Sequence, residues 1–218
     1  GAELSACVNK PCIKADDECY NCEWSTELYV PQAQDEYIKA WFLLAFMAKE
    51  YGLGSMDGYQ FNISVGYDLA GIKSEKINTF IENMKNAEST EIFKECRQVL
   101  LNHVDAFKNF TKEDVDKISP LICNSATIST LHGCPPQEIE SIANYLLTEK
   151  KMHTFIKCNP TLLGYDFARE TLDKMGYDYI AFGRFHFEDD LQYVDAVPML
   201  TRLMKLSSDL GLEFGVKI

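Results

Sequence analysis

Short β-branched or alternating segments are interleaved with amphipathic helical stretches along most of this chain, and that alternation limits the fold more than any other feature. Gly58 precedes Tyr59-Gln-Phe-Asn-Ile-Ser-Val65, which alternates polar and apolar positions and stops at Gly66, the pattern of a strand. Leu121 to Thr130 is a second strand, rich in β-branched residues. His153 to Lys157 is a third, Tyr177 to Phe182 a fourth, and Leu212 to Ile218 a fifth. Between them run helices. Asp35 to Tyr51 places Ile38, Trp41, Phe42, Ala45 and Phe46 at helical spacing and ends at Gly52, where a left-handed cap fits. Ser74 opens a helix with Ile77, Phe80, Ile81 and Met84 on one face.

Further along, Pro135-Pro136 starts a helix carrying Ile139, Ile142, Ala143, Leu146 and Leu147, since proline is tolerated in a first helical turn. Asp166 to Met175 is another helix, and Asp189 to Leu210 a longer one with Pro198 as a point of bending. The helical stretch from Thr90 to about Phe110 interrupts the alternation as an insertion, bounded at about residues 90–119. Repeated strand–helix units of this length specify a parallel sheet covered by helices, either doubly wound or closed as a (β/α)₈ barrel. Both place ligands at the C-terminal ends of the strands. Five strands fall short of eight and the last runs to the chain terminus. The expected fold is therefore α/β, a partial (β/α)₈ TIM-barrel-like sheet in one incomplete domain over residues 1–218. Unpaired edges in such a fragment make self-association an expected property.

Composition narrows the function classes. With 46% hydrophobic and 25% charged residues the chain has ordinary globular content. A net charge of −12 argues against a nucleic-acid surface, which needs clustered Lys and Arg. No run approaches the roughly 20 apolar residues that span a bilayer, so no membrane partner is expected. The N-terminus lacks the basic and apolar regions of a signal peptide, and Gly1 without a preceding Met marks a boundary; a cytoplasmic location follows as an expectation. Eight cysteines in a chain of this size without a secretory signal are expected to be reduced thiols.

Two segments carry chemistry. In Ile128-Ser-Thr-Leu-His-Gly-Cys-Pro-Pro136 a thiol follows a strand and precedes a helix. The positive end of a helix stabilises a thiolate, lowering a cysteine from its reference of about 8.5 and letting it exchange a proton near neutrality. The alternative for Cys134 is a small buried hydrophobe. His132 beside it is a candidate proton relay. In Phe155-Ile-Lys157-Cys-Asn159-Pro160 a lysine stands near the end of an apolar strand, and alternation puts Phe155, Lys157 and Asn159 on one side. A lysine aimed into a barrel calls for an anionic partner, such as the N1 and O2 edge of a reduced flavin; the alternative is a lysine reaching solvent. Among Cys7, Cys12, Cys19 and Cys22 only Cys19-Tyr-Asn-Cys22 has the spacing of a ligand pair and no second such pair follows, so no metal site is expected. The acidic runs Asp16-Asp-Glu18 and Glu188-Asp-Asp190 read as a solvated turn and a helix start.

The pairing of His132-Gly-Cys-Pro-Pro136 with Phe-Ile-Lys157-Cys-Asn159-Pro160 resembles the double signature of the flavin barrels of the dihydropyrimidine and dihydroorotate dehydrogenase type. Closer still is the resemblance to the large subunit of the selenate reductase family of bacteria. It is carried by Lys10-Pro-Cys-Ile13, Asp17-Glu-Cys19, Glu23-Trp-Ser-Thr26, Asn62-Ile-Ser-Val-Gly-Tyr67 and Asn159-Pro-Thr-Leu-Leu-Gly-Tyr165. That resemblance implies an FMN-binding oxidoreductase barrel inside a larger polypeptide whose other modules hold FAD, NAD(P)H and iron–sulfur clusters and act as electron-transfer partners. It makes Cys134 the catalytic acid or base with His132 beside it. Lys157, Asn159, Asn62 and Asp68 become cofactor contacts, and Thr130 a substrate contact. The substrate implied is a small unsaturated, heterocyclic molecule. Leu131 stands where the pyrimidine enzymes have an asparagine, and their Thr-Asn-Thr segment has no counterpart here, so pyrimidine specificity is not carried over. The competing expectation is a degenerate barrel fragment that serves only as scaffold for electron-transfer partners.

Overall fold

The computed structural model describes residues 3–4, 30–66, 68–129 and 134–218. In chain order these form β1 (Glu3–Leu4), α1 (Val30–Glu50), β2 (Ile63–Val65), α2 (Leu69–Ile72), α3 (Glu75–Lys85), α4 (Glu91–His103) and α5 (Lys112–Asp116). There follow β3 (Ser125–Ile128), α6 (Pro136–Thr148), β4 (His153–Lys157), α7 (Tyr165–Lys174), α8 (Phe185–Glu188), α9 (Tyr193–Leu210) and β5 (Phe214–Lys217). The chain divides into two units, residues 1–63 with 73–124 and residues 64–72 with 125–218.

In the first unit α1 packs on α3 and α4. The apolar stripe anticipated on α3 is buried in full, with Ile77, Phe80, Ile81 and Met84 all inaccessible, each contributing about 1.5–3 kcal/mol of transfer free energy. Ser74 stands at the N-cap of α3 as its position predicts, yet its hydroxyl makes no capping bond. Thr90 does cap α4, accepting from the Phe93 amide at 3.3 Å. The insertion read from Thr90 to Phe110 is a helix only to His103; a 3-10 turn, Val104–Ala106, follows. Its far end is tied to α1 by Glu50, whose carboxylate accepts from the amides of Lys108 and Asn109 at 2.8 Å and of Phe110 at 2.9 Å. Edge-to-face contacts of Phe46 with Phe110 and of Phe42 with Phe93 fill the space alongside.

The second unit is built on β2, β3, β4 and β5, side by side in chain order. β3 pairs with β4 in parallel, Ser125 opposite His153 and Ile128 opposite Ile156; β4 pairs with β5 in parallel, Thr154 opposite Phe214 and Lys157 opposite Lys217. Parallel neighbours need crossovers, and helices supply them. Ala126, Ile128, Thr154 and Ile156 point to one side and are buried, and α6 packs on β3 and β4. α9 packs on α6 and β5, and a two-pronged Arg202–Glu140 ion pair at 2.7 and 2.8 Å joins the helices at their rim. Pro198 lies inside a continuous α9, where it supplies no amide to the Val194 carbonyl one turn back; Val194 is well exposed. Gly211 ends the helix with φ 69°, a left-handed cap that turns the chain into β5. At the start of the β4–β5 ladder the Glu213 amide donates to His153 Nδ1 at 2.9 Å, which requires the ring to accept there.

One expected strand is not a strand. Tyr177 to Phe182 forms turns, and β4 pairs directly with β5. Arg169 on α7 explains the difference: its guanidinium donates to the carbonyls of Tyr177 at 2.9 Å and Ile180 at 2.5 Å and stacks 4.9 Å from the Phe182 ring. Carbonyls that a ladder would have used are satisfied by a side chain, so the β-rich composition of this stretch has no neighbour to pair with. No helix among the described residues is long and apolar enough to cross a membrane.

Glu50 yields a prediction. Its backbone hydrogen bonds from Asn109, Lys108 and Phe110 hold the carboxyl below its ordinary value of 4.5. A lowered folded value stabilises the protein above the unfolded value and loses that stabilisation as pH falls through the folded one. Glu50→Gln should therefore lower Tm at pH 7, and the gap to the native protein should close as pH drops below 4.5. Parallel thermal melts across that range measure it.

Candidate active site at the strand ends

Because parallel register partners point to the same face, the side of the second unit's sheet opposite Ala126, Ile128, Thr154 and Ile156 carries its side chains in rows. Thr127, Phe155 and Gly215 form one row across β3, β4 and β5; Lys157 and Lys217 form the next, at the C-terminal end. The lower row is closed. A Cβ on Gly215 would come within 2.9 Å of Phe155 Cδ1, so the phenyl ring lies against the glycine backbone and no side chain fits beneath it. Above it both lysines are exposed. The Cys158 amide donates to the Lys217 carbonyl at 2.8 Å, extending the ladder to the level of these two residues.

Cys134 lies between β3 and α6, half-exposed and directly ahead of Pro135, the N-cap of α6. Its sulfur lies 4.0 Å from the Pro135 carbonyl oxygen. The helix predicted to begin at the Pro-Pro pair does so, which sets the thiol at the positive end of a 13-residue helix. His132 and Thr130 lie outside the described residues, as do Cys7, Cys12, Cys19 and Cys22. Among the described residues no group of three His, Cys, Asp or Glu side chains is arranged to hold a metal ion.

The remaining predicted contacts fall in different places. Asn159 lies beyond the end of β4 and turns toward Asp190, donating from Nδ2 to Oδ2 at 2.8 Å, while Thr161 donates to the same oxygen at 2.5 Å. Asp190 is buried, and Gln192 donates to its carbonyl at 2.7 Å, so the segment after α8 is latched to the turn that follows β4. Burial, and then the negative charge of Asp190, push the Cys158 thiol up, which keeps that cysteine protonated beside the latch. Asp68 caps the short α2, accepting from the Gly71 amide at 2.6 Å, with Glu138 of α6 accepting from the Leu69 amide at 2.7 Å. Asn62 belongs to the first unit, where its amide donates to the Ile63 carbonyl at 3.3 Å. A cavity of about 390 Å³ in that unit is lined by Trp41, Lys49, Asp114 and Lys117 and contains none of the predicted residues. Lys217 was not singled out in the sequence, where it is one lysine in a terminal strand; only the ladder reveals its neighbour.

Parallel strands crossed over by helices, with a thiol and two ammonium groups at their C-terminal ends, define an α/β barrel-type enzyme domain. The family description that matches is "Oxidoreductase YgfK, N-terminal TIM-barrel domain", over residues 1–218, and the chain belongs to that family. It is 43% identical over 223 residues to the oxidoreductase provisionally named YgfK of Escherichia coli K12, and equally to that of Escherichia coli O157:H7. Each match covers 97% of this chain and 22% of the relative, so the chain spans about a fifth of the length of these curated relatives. No solved structure matches.

Gly215→Ala tests the closed row. The new methyl meets the Phe155 ring and should cost about 1–3 kcal/mol of stability, the usual range for overpacking. In a Phe155→Ala background the same change should cost far less. Urea titration of the four proteins measures the coupling.

Proposed function

We propose that this domain is the substrate-reducing or substrate-oxidising barrel of a flavin enzyme, with FMN held over the C-terminal ends of β3, β4 and β5. The observation that carries the reading is the placement of Cys134, Lys157 and Lys217 together on those strand ends and loops in a member of an oxidoreductase barrel family. The residues present suit the group: the exposed ammonium groups of Lys157 and Lys217 would balance the negative charge of a reduced flavin ring, and Phe155 packed against Gly215 closes the row below them. When bound, FMN supplies hydride transfer to or from an unsaturated carbon of a small heterocyclic substrate.

The chain's own residues do the rest. Lys157 balances negative charge at the ring edge and orients the ring relative to the strand ends. Cys134, at the start of α6, holds or gives the proton that accompanies hydride transfer, a role worth about 10² to 10⁴ in rate. Asp190, by holding Asn159 and Thr161, keeps the turn after Lys157 in one conformation and so positions the lysine. In a polypeptide of the relatives' length, electron delivery through FAD, NAD(P)H and iron–sulfur clusters belongs to modules outside these residues.

The full-length protein should be yellow or take up FMN stoichiometrically on loading. Cys134→Ser should bind FMN with unchanged affinity while reoxidation of the reduced enzyme by an unsaturated heterocycle slows by about 10²-fold or more, since serine is a far weaker acid. Rapid-mixing absorbance at the flavin band reads both. A protein that takes up no FMN removes the reading, and a Cys134→Ser variant at full speed returns Cys134 to a structural role.

A further inference from the structure

The cavity of about 390 Å³ has the size of a small-molecule site, and all of its lining residues lie in the first unit; Cys134, Lys157 and Lys217 are not among them. α1 contributes Trp41, Ala45 and Lys49, spaced four residues apart and so stacked along one face of the helix. The middle position carries only a methyl group, which leaves room between an indole and an ammonium group. Trp41 is held in place: its Nε1 donates to the Ser119 carbonyl at 3.0 Å, and the rings of Tyr59 and Phe61 meet it edge-on at 5.0 and 5.4 Å. A ring fixed in this way offers a flat ligand an apolar surface with no side chain left to order.

Asp114 organises the charged part of the lining. Its Oδ2 accepts from the amide and the hydroxyl of Thr111, both at 2.9 Å. Its Oδ1 lies 3.6 Å from Lys49 Nζ and 4.0 Å from Lys117 Nζ. One buried oxygen thus gathers two ammonium groups to a single point, one from α1 and one from the end of α5, and neither comes within hydrogen-bonding distance of it. Both lysines are exposed, so a ligand reaches them from solvent. The loop at residues 54–57 adds a second carboxylate, Asp57, and the bond it accepts from the Ser55 hydroxyl holds that group below its ordinary value, so it is ionised at neutrality.

We propose that this cavity is a second ligand site, for a small monocarboxylic acid with a flat apolar body, its carboxylate taken by Lys49 and Lys117 and its body resting on Trp41 and Ala45. Each part of the lining limits the ligand. Two ammonium groups gathered round one carboxylate leave an excess of positive charge at that point, which a second carboxylate balances. A neutral ligand of the same shape gains nothing from the pair. Asp57 repels any further negative charge in the same space, so a dianion fits less well than a monoanion. Asp114 sets the position of both lysines through a carboxylate that is itself braced by Thr111, and so prepares the site before a ligand arrives. None of this depends on a flavin at the strand ends.

The test is titration calorimetry on the full-length protein with phenylacetate, the neutral phenylacetamide and the dianionic phenylmalonate. Phenylacetate should bind about tenfold or more tighter than phenylacetamide, the worth of one charge-assisted hydrogen bond, and tighter than phenylmalonate. Lys49→Gln and Lys117→Gln should each weaken phenylacetate by about threefold to tenfold and leave phenylacetamide unchanged, since both side chains are exposed. Lys117→Arg should keep the preference, and Asp57→Asn should narrow the gap between phenylacetate and phenylmalonate. Ala45→Leu fills the cavity and should remove phenylacetate binding in a protein whose circular dichroism is unchanged. If that variant does not fold, the two exposed lysines decide the matter alone. Equal affinity for phenylacetate and phenylacetamide, or binding untouched by Lys49→Gln and Lys117→Gln, overturns the proposal. Binding lost in Lys157→Gln instead moves the acid to the strand ends and overturns it as well. Failure of the protein to take up FMN, with phenylacetate still held through Lys49 and Lys117, removes the flavin reading and leaves this site standing.

Discussion

The register of the β3–β4–β5 ladders governs everything proposed for the strand ends. In a parallel sheet each residue shares its face and its height with its partner, so a shift of one position would send Lys157 to the helix-covered side and bring Ile156 into the open. What prevents the shift is burial: Thr154 and Ile156 on β4 and Ala126 and Ile128 on β3 are inaccessible on the helix-covered side, where α6 packs on both strands. Helix packing thus decides where the polar residues of the other face stand. The bond from the Glu213 amide to His153 at one end and that from the Cys158 amide to the Lys217 carbonyl at the other hold β4 and β5 level over their whole length.

Chemistry at the strand ends follows from this arrangement. Inter-strand hydrogen bonding runs on to the amides of Cys158 after β4 and Ser129 after β3, and beyond Cys158 the chain satisfies its polar groups by other means. The buried carboxylate of Asp190 does so for the turn after β4, gathering Asn159 and Thr161, and α6 does so after β3 by beginning at a proline that has no amide to satisfy. Rigid turns are what the proposed reaction needs, because small displacements of reacting groups cost rate. Latching by Asp190 holds Asn159, through its Nδ2, in the turn that follows Lys157.

The crossover between β4 and β5 shows how side-chain hydrogen bonding competes with sheet formation. Tyr177 to Phe182 has the composition of a strand, but the guanidinium of Arg169 takes two of its carbonyls and the position beside β4 belongs to β5. Local β propensity has little force without a partner edge. The same segment leaves Tyr177, Tyr179 and Ile180 partly or largely exposed, as expected of a strand-like sequence that joins no ladder.

Periodicity alone determined most of the architecture. The apolar stripes of α1, α3 and α6 and the strands ending at Val65, Ile128, Lys157 and Lys217 were legible because each is local, set by spacings of 3.6 or 2 residues that burial enforces. Cys134 and Lys157 were legible for the same reason, since a helix start and a strand end are local features. Tertiary structure decided what depends on residues far apart in the chain. The 11-residue reach of Arg169 to Ile180 removed a strand, and the 31-residue link from Asn159 to Asp190 tied the turn after β4 to the segment after α8. Lys217, sixty positions from Lys157 in the sequence, became its neighbour only through the ladder. No sequence spacing encodes such a pair; it exists because the helix-covered face of the sheet can be buried in one register and not in another.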